Sequence, residues 1–214
     1  MNIFKNFVAA SAIALASFGA SASTVSSGGI TWDPDYTGFG NDFIASALYS
    51  STDVNGLVSG WGNINIFNGQ PTGAYCTVAN SCQLSFVFSD LVNGGTLDFY
   101  VNAAGSATEA AASSGSLWLS LEAVNTVTST DIYSTDFDVY FNALDIAGTV
   151  FSNFNTNTLE NGTDVAVVAA AFTQGNNAGI GSATFSGDTI PEPTSIALFG
   201  LALMGLAGAA RRKA

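Results

Sequence analysis

Two neighbouring segments with large apolar side chains at every second position constrain the fold of this chain most strongly. They span residues 83–90 and 96–102, and Asn93-Gly94-Gly95 lies between them. Period-two alternation is typical of a strand with one buried face, and an Asn-Gly turn between two such strands predicts a β-hairpin. We expect two facing apolar rows in its core: Leu84, Phe86 and Phe88, and Leu97, Phe99 and Val101.

Further short apolar or alternating segments follow along the chain, at residues 43–50, 60–67, 117–121, 136–141 and 164–172. Clusters of Gly, Asn and Ser separate these segments, and we find no amphipathic helical stripe among them. Several short strands at regular spacing are typical of an antiparallel β-sandwich. We therefore expect residues 23–189 to form one all-β domain, an antiparallel β-sandwich of jelly-roll-like type.

The distribution of charge excludes several functions. The four basic residues all lie in the terminal segments, the chain has no His, and residues 23–190 hold every one of the 16 acidic residues except Glu192. Without Lys or Arg this part of the chain cannot neutralise phosphates, which excludes nucleic-acid binding. A Ser-His-Asp triad is impossible, and Asp136 and Asp138 would both ionise on an open strand face, which disfavours a glycosidase pair. We expect no enzymatic activity.

The N-terminal segment has the pattern of a secretory signal peptide. Lys5 supplies a positive start, residues 7–18 are apolar, and Ala20-Ser21-Ala22 forms a small-residue cleavage box. This order of positive, apolar and small residues is typical of export signals. We expect Sec-dependent export and cleavage after Ala22, with Ala20 and Ala22 as the cleavage-site residues.

The C-terminal segment combines a proline knot, an apolar run and a basic tail. Pro191-Glu192-Pro193 cannot lie inside a helix or a paired strand because each proline fixes φ and lacks an N–H. Residues 195–210 carry no charge and would form a helix of about 24 Å, which is short against a hydrocarbon core of about 30 Å. Residues 211–213 are all basic, as expected for a cytoplasmic end. A permanent membrane anchor or a buried helix remains an alternative for the apolar run alone.

This combination at the C-terminus resembles the PEP-CTERM sorting signal. The resemblance implies an exported protein that is cleaved by an exosortase and contacts the membrane only through a removable C-terminal helix. It implies passage through the inner membrane, followed by residence at the outer surface or in the extracellular matrix of a Gram-negative bacterium. The sorting residues implied by it are Pro191, Glu192, Pro193, Arg211 and Arg212.

The expected organisation is a signal peptide at residues 1–22, a β-sandwich body at 23–189, and a sorting segment at 190–214 with its apolar helix. The opening of the body, residues 28–35, also resembles bodies that accompany this signal, and this second resemblance implies no activity. We expect a non-enzymatic component of a surface or exopolysaccharide matrix. The alternative is a carbohydrate- or calcium-binding module on the cell surface.

Cys76 and Cys82 are the two cysteines of the chain. In an exported protein, two cysteines predict a disulfide, here one that closes a short loop. Two thiols without His are too few ligands for a zinc site. The pair is therefore expected to be structural.

Two sets of residues are candidate ligand-binding sites. Tyr100, Trp118 and Tyr140 fall opposite the expected inward rows, and exposed aromatic rings suit stacking on sugars. The alternative is that they are buried beneath a second sheet or a covering loop. In the second set, Asp33, Asp35 and Asp42 could bind Ca²⁺, although their spacing misses the EF-hand pattern and a loop with Asx turns is the alternative. We expect no other cofactor.

Overall fold

Most long strands pair with the next long strand along the chain, and the last one pairs back to the first. The structure is a computed structural model that describes residues 24–34, 36, 43–52, 58–90, 94–103, 105, 107–130, 134–173 and 178–190, all within one compact unit, Thr24–Ile190. The strands are β1 Val25–Ser27, β2 Ile30–Trp32, β3 Phe43–Thr52, β4 Val58–Asn63, β5 Ile66–Phe67, β6 Gln70–Pro71, β7 Gln83–Ser89, β8 Thr96–Asn102, β9 Ser116–Thr130, β10 Ser134–Ala143, β11 Val165–Thr173 and β12 Ala178–Gly187. Two one-turn helices, α1 Glu109–Ala112 and α2 Phe151–Phe154, and a 3-10 turn at Glu160–Gly162 lie between them.

The larger sheet closes on itself. Its strand order is β12-β11-β10-β9-β8-β7-β4-β3-β5-β6, and β12 also pairs with β3. Eight antiparallel strands, β3, β4 and β7 to β12, therefore form a closed ring, while β5 and β6 form a short side ladder on β3 and β1 pairs with β2 in a separate ribbon. The antiparallel β prediction is confirmed. The ring strands, however, pair as one closed sheet and not as the two separate sheets of a sandwich.

The hairpin predicted from the alternation is confirmed. β7 and β8 pair antiparallel, with Phe86 opposite Phe99. Both rings are fully buried, as the expected apolar rows require. A side chain at Gly95 would collide with the Ser89 carbonyl oxygen, so this end of the turn needs glycine.

Large side chains fill the interior of the ring. The ring of Phe185 lies 5.0 Å from that of Phe86 and 5.4 Å from that of Phe99, so residues from β7, β8 and β12 meet there. Gly60 and Gly62 of β4 are buried, and β4 thus brings no bulky side chain into the interior at these positions. An eight-stranded closed sheet is just wide enough for side chains to fill it, and this interior is a packed core.

A buried polar network fixes the segment that connects β4 to β7. The Tyr75 hydroxyl donates to the Ile64 carbonyl oxygen at 2.9 Å and accepts from the Leu84 N–H at 3.2 Å, and the Gln83 amide also donates to Ile64 O, at 2.6 Å. Burial raises the pKa of the Tyr75 hydroxyl above its ordinary value of 10.0. It therefore stays protonated and able to donate at neutral pH.

The carboxylate of Asp164 holds the chain that follows α2. It is 1% exposed and accepts three backbone N–H groups, from Ala143 at 2.8 Å and from Thr156 and Asn157 at 2.7 Å each. With no basic residue between 23 and 190, backbone donors take the place of a buried ion pair. This carboxylate fixes where α2 ends relative to β10 and β11.

We predict that Asp164→Ala lowers the free energy of unfolding by about 3 kcal/mol or more, because three buried N–H groups lose their acceptor. Urea unfolding followed by circular dichroism measures the change. Asp188→Asn is the matched control, since that carboxylate is exposed and its removal should change stability by less than about 0.5 kcal/mol. Equal losses in the two variants would contradict the assigned role of Asp164.

Candidate functional site

Five buried aromatic rings from separate elements pack together, and we call them the aromatic cluster. Trp118 contacts the other four, with ring centroids 5.4 Å from Phe154, 5.7 Å from Trp32, 5.8 Å from Phe67 and 6.0 Å from Phe43. These rings come from β9, α2, β2, β5 and β3, and each is at most 2% exposed. The cluster thus joins the ribbon, the side ladder and α2 to the closed sheet.

Trp118 lies inside the cluster and not on an open face, so the expectation that it belongs to an exposed platform is wrong. The register of β8 and β9 shifts at this point: Phe99 pairs with Leu119, whereas Tyr100 pairs with Leu117. The extra residue is Trp118, and such a β-bulge interrupts the alternation of side chains along the strand. Trp118 and Leu119 are consequently both buried.

The turn between β1 and β2 covers Trp118. The indole Nε1–H donates to the Ser27 carbonyl oxygen at 3.1 Å. Gly28 has φ of +60°, and a Cβ at this position would lie 2.5 Å from Trp118 Cδ1. Glycine is therefore required both by the backbone conformation and by the close approach of the ring. A covering loop was the alternative expected for this aromatic residue.

Tyr100 is half-buried on the outer side of β8. Burial raises the pKa of its hydroxyl above the ordinary value of 10.0, and the nearby Asp98 carboxylate raises it further. The buried Ser120 hydroxyl donates to Asp98 Oδ1 and so orients this carboxylate. Because a second negative charge beside the Asp98 carboxylate would be repelled, the Tyr100 hydroxyl stays protonated and neutral.

Tyr140 lies far from Tyr100. Its hydroxyl donates to Glu160 Oε2 at 3.1 Å. On the intervening strand β9, Tyr140 pairs with Asn125 and Tyr100 with Leu117, eight residues apart. Two of these eight residues are bulge residues, so six regular steps at about 3.3 Å each place the two tyrosines about 20 Å apart along the sheet. The predicted three-aromatic platform is not assembled.

Of the three aspartates considered for Ca²⁺, Asp33 alone lies among the described residues. It is exposed, its N–H donates to Asn68 Oδ1 at 2.8 Å, and Asn68 Nδ2 donates back to its carbonyl oxygen at 3.0 Å. Asp35 and Asp42 fall outside the described part of the chain, as do the side chains of Asp136 and Asp138. Within the described residues no three side chains of His, Cys, Asp or Glu come together as a metal site would require.

The predicted disulfide is confirmed. Cys76 and Cys82 are bonded, with their Cα atoms 5.8 Å apart. Cys76 also forms a bridge to Ile30 of β2, so the loop is tied to the ribbon that covers Trp118. The disulfide belongs to the support of the aromatic cluster.

The last described residues are held against the aromatic cluster and α2. The Trp32 indole Nε1–H donates to Thr189 Oγ1 at 3.3 Å. The Ile190 N–H donates to the Asn153 carbonyl oxygen at 2.7 Å, and Asn153 Nδ2 donates to the Ile190 carbonyl oxygen at 3.3 Å. We call this group of four residues the C-terminal clamp.

Sequence reasoning missed the C-terminal clamp. The patterns that predict the strands and the sorting signal assign no role to Trp32, and Asn153 lies in a segment without periodicity. The pairing of residues 157 positions apart has no local signal. The hydroxyl of Thr189 next to the proline knot was the one available hint, because a buried indole N–H needs an acceptor.

The fold and this junction define an antiparallel β domain that runs directly into a C-terminal processing segment. Residues 189–213 match the PEP-CTERM protein-sorting motif, which confirms the resemblance noted from the sequence. Comparison with curated proteins and with solved structures finds no match. None of the helices in the described part of the chain is long and apolar enough to cross a membrane.

The sorting motif indicates an exported cell-surface protein that is targeted by an exosortase. The predicted sorting residues from Pro191 to Arg212, the C-terminal apolar helix and the signal-cleavage residues Ala20 and Ala22 all lie outside the described residues. The roles of those individual residues stay predictions. What the structure adds is the folded side of the junction, up to Ile190.

We predict that Trp118→Ala lowers the free energy of unfolding by about 3–5 kcal/mol, because it leaves a cavity among four other aromatic rings. Val124→Ala is the matched control on the same strand, since Val124 is 54% exposed and its truncation should cost less than about 0.5 kcal/mol. Chemical denaturation of both variants measures the difference. A small loss for Trp118→Ala would show that this residue does not hold the cluster together.

We also predict that Asp98→Asn lowers the pKa of Tyr100, while burial keeps it above 10.0. Because the folded state holds this proton more tightly than the unfolded chain, the stability linked to Tyr100 is complete below pH 10.0 and is lost as the pH rises through the folded pKa. NMR titration of the Tyr100 ring measures the shift. Asp90→Asn is the control, and a pKa of Tyr100 unchanged by Asp98→Asn would contradict the prediction.

Proposed function

We propose that this chain is a non-enzymatic component of the cell surface or exopolysaccharide matrix of a Gram-negative bacterium, delivered there by exosortase processing. The observation that carries the proposal is the sorting motif at residues 189–213, which starts within the last residues of a closed β domain. Nothing separates the domain from its sorting segment, so the domain is the cargo that the motif delivers.

The interior of the domain supports a structural role. Its centre is filled by closely packed aromatic and aliphatic side chains. The buried polar side chains of Asp164, Gln83 and Asn102 are each committed to backbone groups. Residues 23–190 also lack His, Lys and Arg, so acid–base chemistry would have to rely on carboxylates and tyrosines alone.

The surface of the domain supports delivery to an aqueous and crowded exterior. Its exposed acids are spread over loops, short helical turns and strand β9: Asp33, Asp90, Glu109, Glu122, Asp145, Glu160 and Asp188. No cation between residues 23 and 190 balances them, so copies of the domain repel one another and stay in solution. The same charge repels anionic polysaccharide. Retention in a matrix would then rest on attachment after processing, on neutral sugars, or on bridging divalent cations.

The proposed route has three steps. Sec export is followed by cleavage after Ala22. The apolar run after the proline knot then holds the protein transiently in the inner membrane. Exosortase cleavage finally releases the domain toward the outer surface. The carbohydrate-binding alternative lacks its platform because Trp118 is buried and the two tyrosines lie far apart.

We predict that replacing Pro191 and Pro193 together by Ala abolishes processing, because the segment loses the fixed φ angles that keep it out of a helix. The full-length chain should then accumulate in the membrane fraction, as shown by its intact mass. Asp188→Asn, just before the motif, is the control and should be processed normally. Recovery of the unaltered protein at full length in membranes, with Arg211 to Lys213 still present, would refute the proposed function.

A further inference from the structure

The sorting motif and the folded domain share residues. The matched motif begins at position 189, whereas the compact domain extends to Ile190. Thr189 and Ile190 therefore belong to both. While the domain is folded, the C-terminal clamp holds these two residues in the domain and so keeps them from serving as part of the processed segment.

Thr189 is held from within the core. Its side chain accepts the indole N–H of Trp32, and the two residues are 9% and 1% exposed. Withdrawing Thr189 would leave a buried donor without an acceptor, which is costly inside a protein. Trp32 is itself fixed by three ring contacts, to Phe67, Trp118 and Phe154.

Ile190 is held through its backbone. Its N–H and its carbonyl oxygen both bond to Asn153, although its side chain is 41% exposed. Asn153 cannot easily move, because its neighbour Phe154 is fully buried and the Val150 N–H, just before α2, donates to the Trp118 carbonyl oxygen at 2.8 Å. The clamp is thus anchored to the same cluster on both sides.

These contacts compete with a processing enzyme. Enzymes that bind an extended peptide pair with its backbone N–H and C=O groups. The groups of Ile190 already have partners in the domain, and Thr189 is buried. Binding the chain across these two positions would require the clamp to open first.

We propose that the folded domain withholds Thr189 and Ile190 from the processing enzyme, so that the scissile bond lies on the carboxyl side of Ile190. The inference rests on the proposed function. It adds a limit on the position of the cleaved bond, which the match to the motif alone does not give. In the reaction, the C–N bond of one peptide unit breaks. The acyl carbon passes to water or to an acceptor amine, the nucleophile loses a proton, and the released amine gains one. The mature domain keeps the complete clamp.

The first experiment determines the C-terminus of the exported protein by intact mass and by sequencing of its last peptide. We expect a shortened form that ends at Ile190 or beyond. A shortened form that ends before Ile190 would overturn this inference and leave exosortase processing intact. A chain that is never shortened would overturn both.

The second experiment tests the clamp itself in the purified full-length chain, independently of processing. The double variant Thr189→Val/Asn153→Ala removes the acceptor for Trp32 and the amide donor to Ile190. We expect hydrogen exchange at Ile190, read by mass spectrometry, to become about tenfold faster. Digestion with a carboxypeptidase that also releases proline should stop at Ile190 in the unaltered chain and continue upstream in the variant.

The matched control is Thr189→Ser/Ser152→Ala, which keeps the hydroxyl acceptor and alters an exposed residue of the same helix. Its exchange at Ile190 and its digestion end point should equal those of the unaltered chain. A retained cooperative melting transition shows that the double variant is still folded. Exchange at Ile190 as fast in the unaltered chain as in an unfolded peptide, or equal in variant and control, would overturn the proposal.

Discussion

The packing of Trp118 against four other aromatic rings is the interaction on which the rest of the domain depends. Strand pairing builds the closed ring and attaches the side ladder β5–β6 to β3, but it leaves the ribbon β1–β2 and helix α2 outside this sheet. Contacts between the aromatic rings tie these two elements, together with the side ladder, to β9 and β3. Because close packing tolerates little displacement, the position of each appendage is set by the others. The cluster also holds the C-terminal clamp in place, because Trp32 belongs to the cluster and Asn153 is next to Phe154.

A domain without cationic side chains has to satisfy its buried polar groups in another way. Asp164 does so with three backbone N–H groups, and Asn102 does so by donating to Ser85 Oγ and to the Ala112 carbonyl oxygen. Ala143 and Ser85 lie on ring strands, whereas Thr156, Asn157 and Ala112 belong to the connections outside the ring. The polar network therefore attaches the connections to the sheet, while apolar packing fills the interior. Neither contribution is screened by salt as a surface ion pair would be.

The strands could be predicted from the sequence because alternation is a local signal, and β7 and β8 show it clearly. Closure of the sheet could not be predicted, because the pairing of β12 with β3 joins residues more than 120 positions apart and leaves no local pattern in the sequence. The orientation of Trp118 was missed because one bulge residue reverses the alternation. The sorting motif was readable because it is contiguous, whereas the clamp joins Trp32, Asn153 and Thr189 from three distant segments. Local order was thus predictable, and long-range hydrogen bonds were not.

Closure of the sheet also governs how many copies of the domain behave side by side. Each of the eight ring strands has a hydrogen-bonded neighbour on both sides, so its backbone is already occupied. Open strands are the usual templates on which crowded β proteins polymerise. At the high local density of a cell exterior, the ring strands would consequently contact neighbouring molecules through side-chain surfaces and not through shared ladders.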